Sequence, residues 1–261
     1  MMKVWLNGAL LDAQAARIAP DDRGFTLGDG VFETLRAADG AIVRLDAHLA
    51  RLRRGADLLG LPVPQVDYGT ALRETLAANG LSDGALRLTL TRGPAPRGVL
   101  PPANPTPTLL ITAGPLPPAT PVRLVIARIT RRNEFSPLSG IKSLAYLDNI
   151  LARQETAARG ADDALLLNTQ GRVAETSTAN LFVVVDGRVV TPPVADGALP
   201  GTLRGEILKQ GALEAPVTPE LLATAQEAFV TTSLGIRSVS ALEGRALSDF
   251  TVAGEMRARL A

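Results

Sequence analysis

The chain has 261 residues, of which 46% are hydrophobic and 20% charged, with a formal net charge of +1, one histidine and no cysteine. This suits a globular protein of one large or two moderate domains, and it excludes a disulfide framework, a thiolate metal site, a cysteine nucleophile and a His-rich metal centre. The near-neutral charge, with two Tyr, one Trp and six Phe, gives no footprint for nucleic acid. No apolar run is long enough to span a bilayer and no export signal precedes the fold, so the expectation is a soluble, cytoplasmic protein without a membrane or nucleic-acid partner.

In chain order, short apolar or alternating runs meet at Asn7-Gly8, Asp39-Gly40 and Asp186-Gly187, dipeptides that accept positive φ and so predict β-hairpins. Helical periodicity predicts a helix over 46–59, with Leu45, Leu49, Leu52, Ala56 and Leu59 on one face, and another over 67–78. Each opens with an aspartate, Asp46 or Asp67, able to cap the first turn. Residues 114–121, Gly-Pro-Leu-Pro-Pro-Ala-Thr-Pro, are too rich in proline for a helix or a central strand and predict a linker. Beyond it the pattern predicts a strand over 122–129, a helix after Lys142, strands near 164–167 and 181–185, and a helix from about Thr202. The class is α+β, with a smaller N-terminal domain (1–113), the linker (114–121) and a larger C-terminal domain (122–261).

Four constellations carry chemistry-bearing residues, and each has a plain structural reading beside the functional one. Lys142 is one of only three lysines among 27 basic residues. An amine that is partly desolvated attacks a carbonyl carbon, which arginine cannot do, so Lys142 is the candidate Schiff-base residue; the plain reading is a surface lysine. Tyr146, four residues on, shares a helical face with it if the helix has begun by then, and is otherwise a core tyrosine with a wet hydroxyl. Glu175, followed by Thr176, Ser177 and Thr178, is either a turn or cap residue or a carboxylate that holds a pyridine nitrogen protonated. Arg51, near His48, suits either a phosphate or solvent. Arg92 and Arg97, in the Gly/Pro-constrained segment 92–98, make either a carboxylate clamp or an exposed basic loop. No Gly-x-Ser-x-Gly or His-Glu-x-x-His pattern occurs, and Gly28-Asp29-Gly30 alone is a weak phosphate-loop signal.

Taken in order, Gly28-Asp29-Gly30-Val31-Phe32-Glu33-Thr34-Leu35-Arg36, His48-Leu49-Ala50-Arg51-Leu52, the Lys142 segment, Glu175 through Asn180-Leu181-Phe182, and Leu199-Pro200-Gly201-Thr202-Leu203-Arg204 resemble the class IV pyridoxal-phosphate enzymes. That group includes branched-chain aminotransferases, D-amino-acid transaminases and 4-amino-4-deoxychorismate lyases. The resemblance covers nearly the whole chain. It implies the two-domain, D-amino-acid-aminotransferase-like fold with the cofactor in the interdomain cleft, a homodimer, pyridoxal 5'-phosphate as cofactor and no metal. Residue by residue, it makes Lys142 the Schiff-base and proton-transfer lysine, Glu175 the partner of the ring nitrogen, and Arg51 a phosphate ligand. The Gly201-Thr202 turn becomes a phosphate-binding helix start. Thr232 and Ser233 are further phosphate candidates. Many relatives read Gly-Ile-Thr where this chain has Gly201-Thr202-Leu203, so a hydroxyl contact is lost at the second position, and Thr202 either replaces it or does not.

For substrate, the resemblance implies a small amino or keto acid or aminodeoxychorismate. Phe32, Thr34, Arg92, Arg97 and Tyr146 are the substrate-side candidates, with Thr34 and Tyr146 beside Lys142 in the chemistry. The loop matches D-amino-acid transaminases up to Arg97 but carries Val99 where they have histidine. Thr34 replaces the glycine usual in branched-chain enzymes. Phe32 to Arg36, Arg92-Gly93 with Arg97-Gly98, and Ser233 to Arg237 look closer to the lyases. The expectation is therefore a 4-amino-4-deoxychorismate lyase first, a D-amino-acid or branched-chain transaminase second, and a catalytically idle ligand-binding homologue third.

Overall fold

A computed structural model describes residues 1–260. The chain divides into two compact units, one of Met1–Pro117 with Ile141–Ala145, the other of Pro118–Gly140 with the chain from Tyr146 onward. A single cut at the proline-rich segment therefore misplaces Ile141–Ala145, which the sequence reading put in the second domain. That segment pairs with a strand of the first unit, and strand pairing ignores distance along the chain.

The first unit holds β1 (Lys3–Leu6), β2 (Ala9–Asp12), α1 (Arg23–Leu27), β3 (Gly30–Ala38), β4 (Ala41–Ile42), α2 (Leu45–Leu59), α3 (Tyr68–Ala78), β5 (Gly84–Thr91) and β6 (Thr108–Gly114). Its six strands run in the order β2-β1-β6-β5-β3-β4, all antiparallel. Asn7 and Asp39 both sit at φ 48°, with Gly8 and Gly40 after them, so two of the expected hairpins form as read. One sheet face, including Val31, Leu35, Leu86, Leu88 and Leu90, packs with Leu52 and Ala56 of α2 and Leu72 and Leu76 of α3. The other face carries Phe32, Thr34 and Arg87. Asp67 caps α3 by accepting from the Thr70 amide at 3.0 Å. Asp46 caps nothing: α2 begins one residue earlier than expected, behind Arg44 at φ 55°, and Asp46 falls in the first turn, where its charge faces the positive end of the helix dipole.

The second unit holds β7 (Val122–Ile126), α4 (Leu147–Ala158), β8 (Asp163–Leu167), β9 (Val173–Thr176), β10 (Asn180–Val185), β11 (Arg188–Thr191), α5 (Thr202–Lys209), β12 (Leu213–Glu214), α6 (Pro219–Thr224), β13 (Glu227–Thr232), β14 (Gly235–Leu242), β15 (Arg245–Ala246) and α7 (Thr251–Leu260). Among the described residues its sheet runs β12-β11-β10-β13-β14-β7-β8-β9, with β15 on β14. Because β8 and most of β10 are buried on both faces, they read as near-continuous apolar runs rather than alternating ones, whereas β9, also buried, carries Glu175 and Thr176. Phe182 and Phe229 stack across β10 and β13 with ring centroids 5.0 Å apart, beneath Leu203 and Ile207 of α5. No helix among the described residues is long and apolar enough to cross a membrane.

Candidate active site

The lysine segment is fastened to the first unit by its backbone. Phe32 N donates to Lys142 O at 2.9 Å and Leu144 N to Gly30 O at 3.0 Å, with a bridge between Val31 and Ser143. This approach requires a glycine at position 30, because a Cβ there would lie 2.5 Å from Leu90 O and 2.8 Å from Leu144 Cδ1. The fastening carries the half-buried Lys142 over Phe32, with Nζ 4.3 Å from the ring centroid. Lys3 and Lys209 sit in ion pairs with Asp12 and Glu206, each at 2.9 Å. Tyr146 does not share a helical face with Lys142: α4 starts at Leu147, and Tyr146 is its N-cap residue.

Arg87 was not singled out from the sequence. In the β3–β5 register it faces Thr34, two residues along from the Phe32–Thr89 pair and so on the same sheet face, and its Cζ lies 3.7 Å from the Phe32 centroid. The alternation of β5 was the available signal, since it puts a long cation in the row of Phe32 and Thr34.

Arg51 sits on α2 with its side chain turned onto the sheet. Its Nε donates to Glu33 Oε1 at 2.8 Å and its Nη2 to Oε2 at 2.6 Å, and His48 Nδ1 lies 2.7 Å from Oε2. All three residues are buried, which excludes the solvated-face reading of Arg51. Burial pushes the Glu33 carboxyl up, but the hydrogen bonds from Arg51 and His48 outweigh it and hold the group below its ordinary value. His48 is pushed down, chiefly by burial, with Arg51 and Arg44 adding to the effect against Glu33.

The two loop arginines part company. Arg92, 3% exposed, directs Nε and Nη2 to Asp29, Nη1 to Gly60 O and Nη2 also to Leu59 O, so its fork is committed inside the unit and the clamp reading passes to Arg97. Arg97 is exposed in the segment 96–100.

In the second unit Glu175, near the end of β9, is buried with both oxygens held. Arg132 Nη2 lies 3.1 Å from Oε1, and Leu199 N donates to Oε2 at 3.0 Å. Arg132 is itself steadied by Nε to Gly197 O at 3.0 Å and Nη2 to Ser139 O at 3.2 Å. Asn180 donates to Leu199 O at 2.8 Å, and its Oδ1 occupies the space where a Cβ on residue 201 would stand, 2.0 Å away. Gly201 is the N-cap of α5, so the carboxylate and the helix start form one rigid piece. Thr231 pairs with Asn180 across β10 and β13, which brings the ends of these strands to the same edge, and the Thr232 hydroxyl closes the following turn by accepting from Leu234 N at 3.1 Å. Leu203, in the first turn of α5, is buried in the core with Phe182 and Phe229. Arg132 and Asn180 were not identified from the sequence as parts of a site, because their roles depend on loops brought together by folding.

Taken separately, the first unit offers a half-buried primary amine that suits an aldehyde and a buried arginine that suits a phosphate, and the second offers a fixed carboxylate that suits a pyridine nitrogen and helix-start amides that suit an anion. Comparison with known proteins agrees. The family model for amino-transferase class IV matches residues 30–242. A Methanocaldococcus jannaschii protein assigned as a branched-chain-amino-acid aminotransferase is 34% identical over 99% of this chain and 94% of its own length. The branched-chain aminotransferase of Thermoproteus uzoniensis, crystallised with norvaline, superposes with a TM-score of 0.91 at 31% identity, covering 99% of this chain and 93% of that one. The 4-amino-4-deoxychorismate lyase of Pseudomonas aeruginosa does so with a TM-score of 0.83 at 34% identity, covering 98% and 97%. With sequence motifs, fold and full-length relatives pointing one way, the chain belongs to the class IV aminotransferases, a family of pyridoxal-phosphate-dependent enzymes.

Proposed function

We propose that this enzyme is an aminotransferase that exchanges the amino group between an aliphatic α-amino acid of the branched-chain type and a 2-oxo acid. The ordering favoured by the motifs alone, lyase before transaminase, is thereby reversed. The relatives named for aminotransfer weigh toward this reading, and one geometric observation carries it. Lys142 Nζ and Arg87 Cζ lie 4.3 Å and 3.7 Å from the same Phe32 centroid, so the two cations are within the sum of those distances of each other. An α-amino acid bridges such a span with its nitrogen toward the lysine and its carboxylate on the guanidinium, allowing roughly 3 Å for each hydrogen bond.

When bound, pyridoxal 5'-phosphate supplies an electron sink that acidifies the carbon beside the substrate nitrogen. In this reading Lys142 would hold the cofactor, and its Nζ would take up and return the proton. Glu175, fixed by Arg132 and Leu199, opposes the charge on the ring nitrogen. For the phosphate this reading assigns Arg51 in the first unit and, in the second, the turn at Gly201 and Thr202 with Thr232 and Ser233; for the substrate it assigns Phe32, Arg97 and Tyr146. A cytoplasmic homodimer goes with this reading; the exposed Phe25, Val99 and Leu100 suit a subunit contact.

The lyase remains the second reading because Thr34 places a hydroxyl, half-buried, in the row of Phe32 and Arg87, where it can assist proton movement. Supplying the holoenzyme with leucine, isoleucine or valine and 2-oxoglutarate, and separately with aminodeoxychorismate, separates the two. Brisk amino transfer is expected. Formation of 4-aminobenzoate without amino transfer would reverse the assignment.

A further inference from the structure

Between β5 and β6 the chain makes an excursion over residues 92–107, and one carboxylate fastens both ends of its first half. Asp29 Oδ2 accepts from Arg23 Nε and from Arg92 Nε, each at 2.7 Å, and Oδ1 accepts from Arg92 Nη2 at 3.0 Å. Arg92 ties the start of the excursion to the end of α2 through Leu59 O and Gly60 O. Arg23 fans out the other way, donating from Nη1 to Gly98 O and from Nη2 to Val99 O, each at 2.8 Å. Main-chain bonds close the entry, with Arg23 N to Gly93 O at 2.9 Å and Ala95 N to Asp21 O at 3.2 Å. Gly93 is at φ 84°, and a Cβ there would stand 1.8 Å from Thr106 O, so this end cannot shift without rebuilding the loop. Only Pro96 and Arg97 lie between the anchored points.

We propose that Arg23 is a positioning residue for substrate recognition: by gripping the carbonyls of Gly98 and Val99 it fixes the direction in which the loop presents Arg97 to a substrate carboxylate. This rests on the reading of Arg97 as a carboxylate anchor that shares the substrate carboxylate with Arg87. Arg23 is 4% exposed and three acceptors in three directions use its fork. A lysine keeps the charge for Asp29 but, with all its donors on one atom, cannot also span both carbonyls. Holding the loop in advance of binding lowers the ordering cost of the complex, so the effect belongs in KM rather than in kcat.

The test compares Arg23→Lys, Arg97→Ala and the double variant as holoenzymes with an α-amino acid substrate. Arg23→Lys is expected to raise KM roughly tenfold with kcat within about twofold, and the double variant to be no worse than Arg97→Ala, because one residue acts through the other. Trypsin provides a readout that needs no variant: the Arg97–Gly98 bond of the unaltered holoenzyme should resist cleavage, and Arg23→Lys should open it. Multiplying effects in the double variant, an unmoved KM in Arg23→Lys, or rapid cleavage of the unaltered enzyme at Arg97 would overturn the inference while leaving Arg97 as the anchor. A silent Arg97→Ala variant would overturn the anchor reading and the inference together.

Discussion

Arg51 lays its guanidinium along Glu33, Nε to Oε1 at 2.8 Å and Nη2 to Oε2 at 2.6 Å, with the side chains 5% and 1% exposed. A buried pair of this kind offsets its desolvation only while both partners are present. Glu33→Ala should therefore cost about 3–5 kcal/mol in chemical denaturation, because it leaves a buried guanidinium uncompensated. It should also weaken cofactor affinity, since Arg51 loses the contact that aims it. A variant as stable as the wild type, with unchanged cofactor titration, would show that Glu33 neither supports the fold nor orients Arg51.

The same cluster sets a pH dependence. His48 has its folded-state pKa lowered from 6.5 by burial, so the folded protein binds fewer protons there than the unfolded chain. Its contribution to stability is complete above about 6.5 and is lost as pH falls through the folded value. Glu33, also lowered, adds a second loss below its ordinary 4.5. Stability measured against pH should fall in two stages on acidification, and His48→Gln should remove the upper one. As His48 is the only histidine, a persisting upper stage in that variant would refute the assignment.

On the proposed reading, Lys142→Ala should reduce turnover by a factor on the order of 1,000 or more, because the residue assigned both the covalent attachment and the proton transfer is removed. Borohydride reduction of the holoenzyme followed by peptide mapping should place the label on Lys142. A label on Lys3 or Lys209, the two lysines held by Asp12 and Glu206, would contradict it.

On the proposed reading, Glu175→Gln should keep the fold and much of the cofactor but lose activity by a factor on the order of 100, because the carboxylate assigned to the ring nitrogen loses its charge. Arg132→Met should act in the same direction by freeing Oε1, and its effect should shrink when Glu175 is already Gln. Wild-type rates from Glu175→Gln would reduce Glu175 to a turn residue.

Substrate choice is expected to split between Arg87 and Thr34. Arg87→Ala should raise KM for amino acids by roughly tenfold or more, as a charged hydrogen-bond partner is lost. Thr34→Val should leave amino transfer within about threefold while suppressing 4-aminobenzoate formation, should any be detectable. Steady-state assays of both variants against both substrates check this. A collapse of amino transfer in Thr34→Val would place that hydroxyl in the transamination chemistry.

Hairpin dipeptides, apolar periodicity and proline clustering were enough to read the three hairpins, both N-terminal helices and the α+β class, because each depends on interactions among near neighbours in the chain. The motif order likewise made Lys142, Glu175, Arg51 and Gly201 legible as candidates. Tertiary structure decided the rest. Ile141–Ala145 joins the first unit because Gly30 lets a distant backbone approach. Arg92 is withdrawn from the substrate-side candidates by Asp29, 63 residues away along the chain, and Arg23 gains its grip on Val99 across 76. Arg87 becomes a candidate only through the register of β5 against β3. An arginine in a sequence carries the same five donors wherever it stands; which acceptors meet them is fixed by contacts that close long loops, and local sequence does not encode those distances.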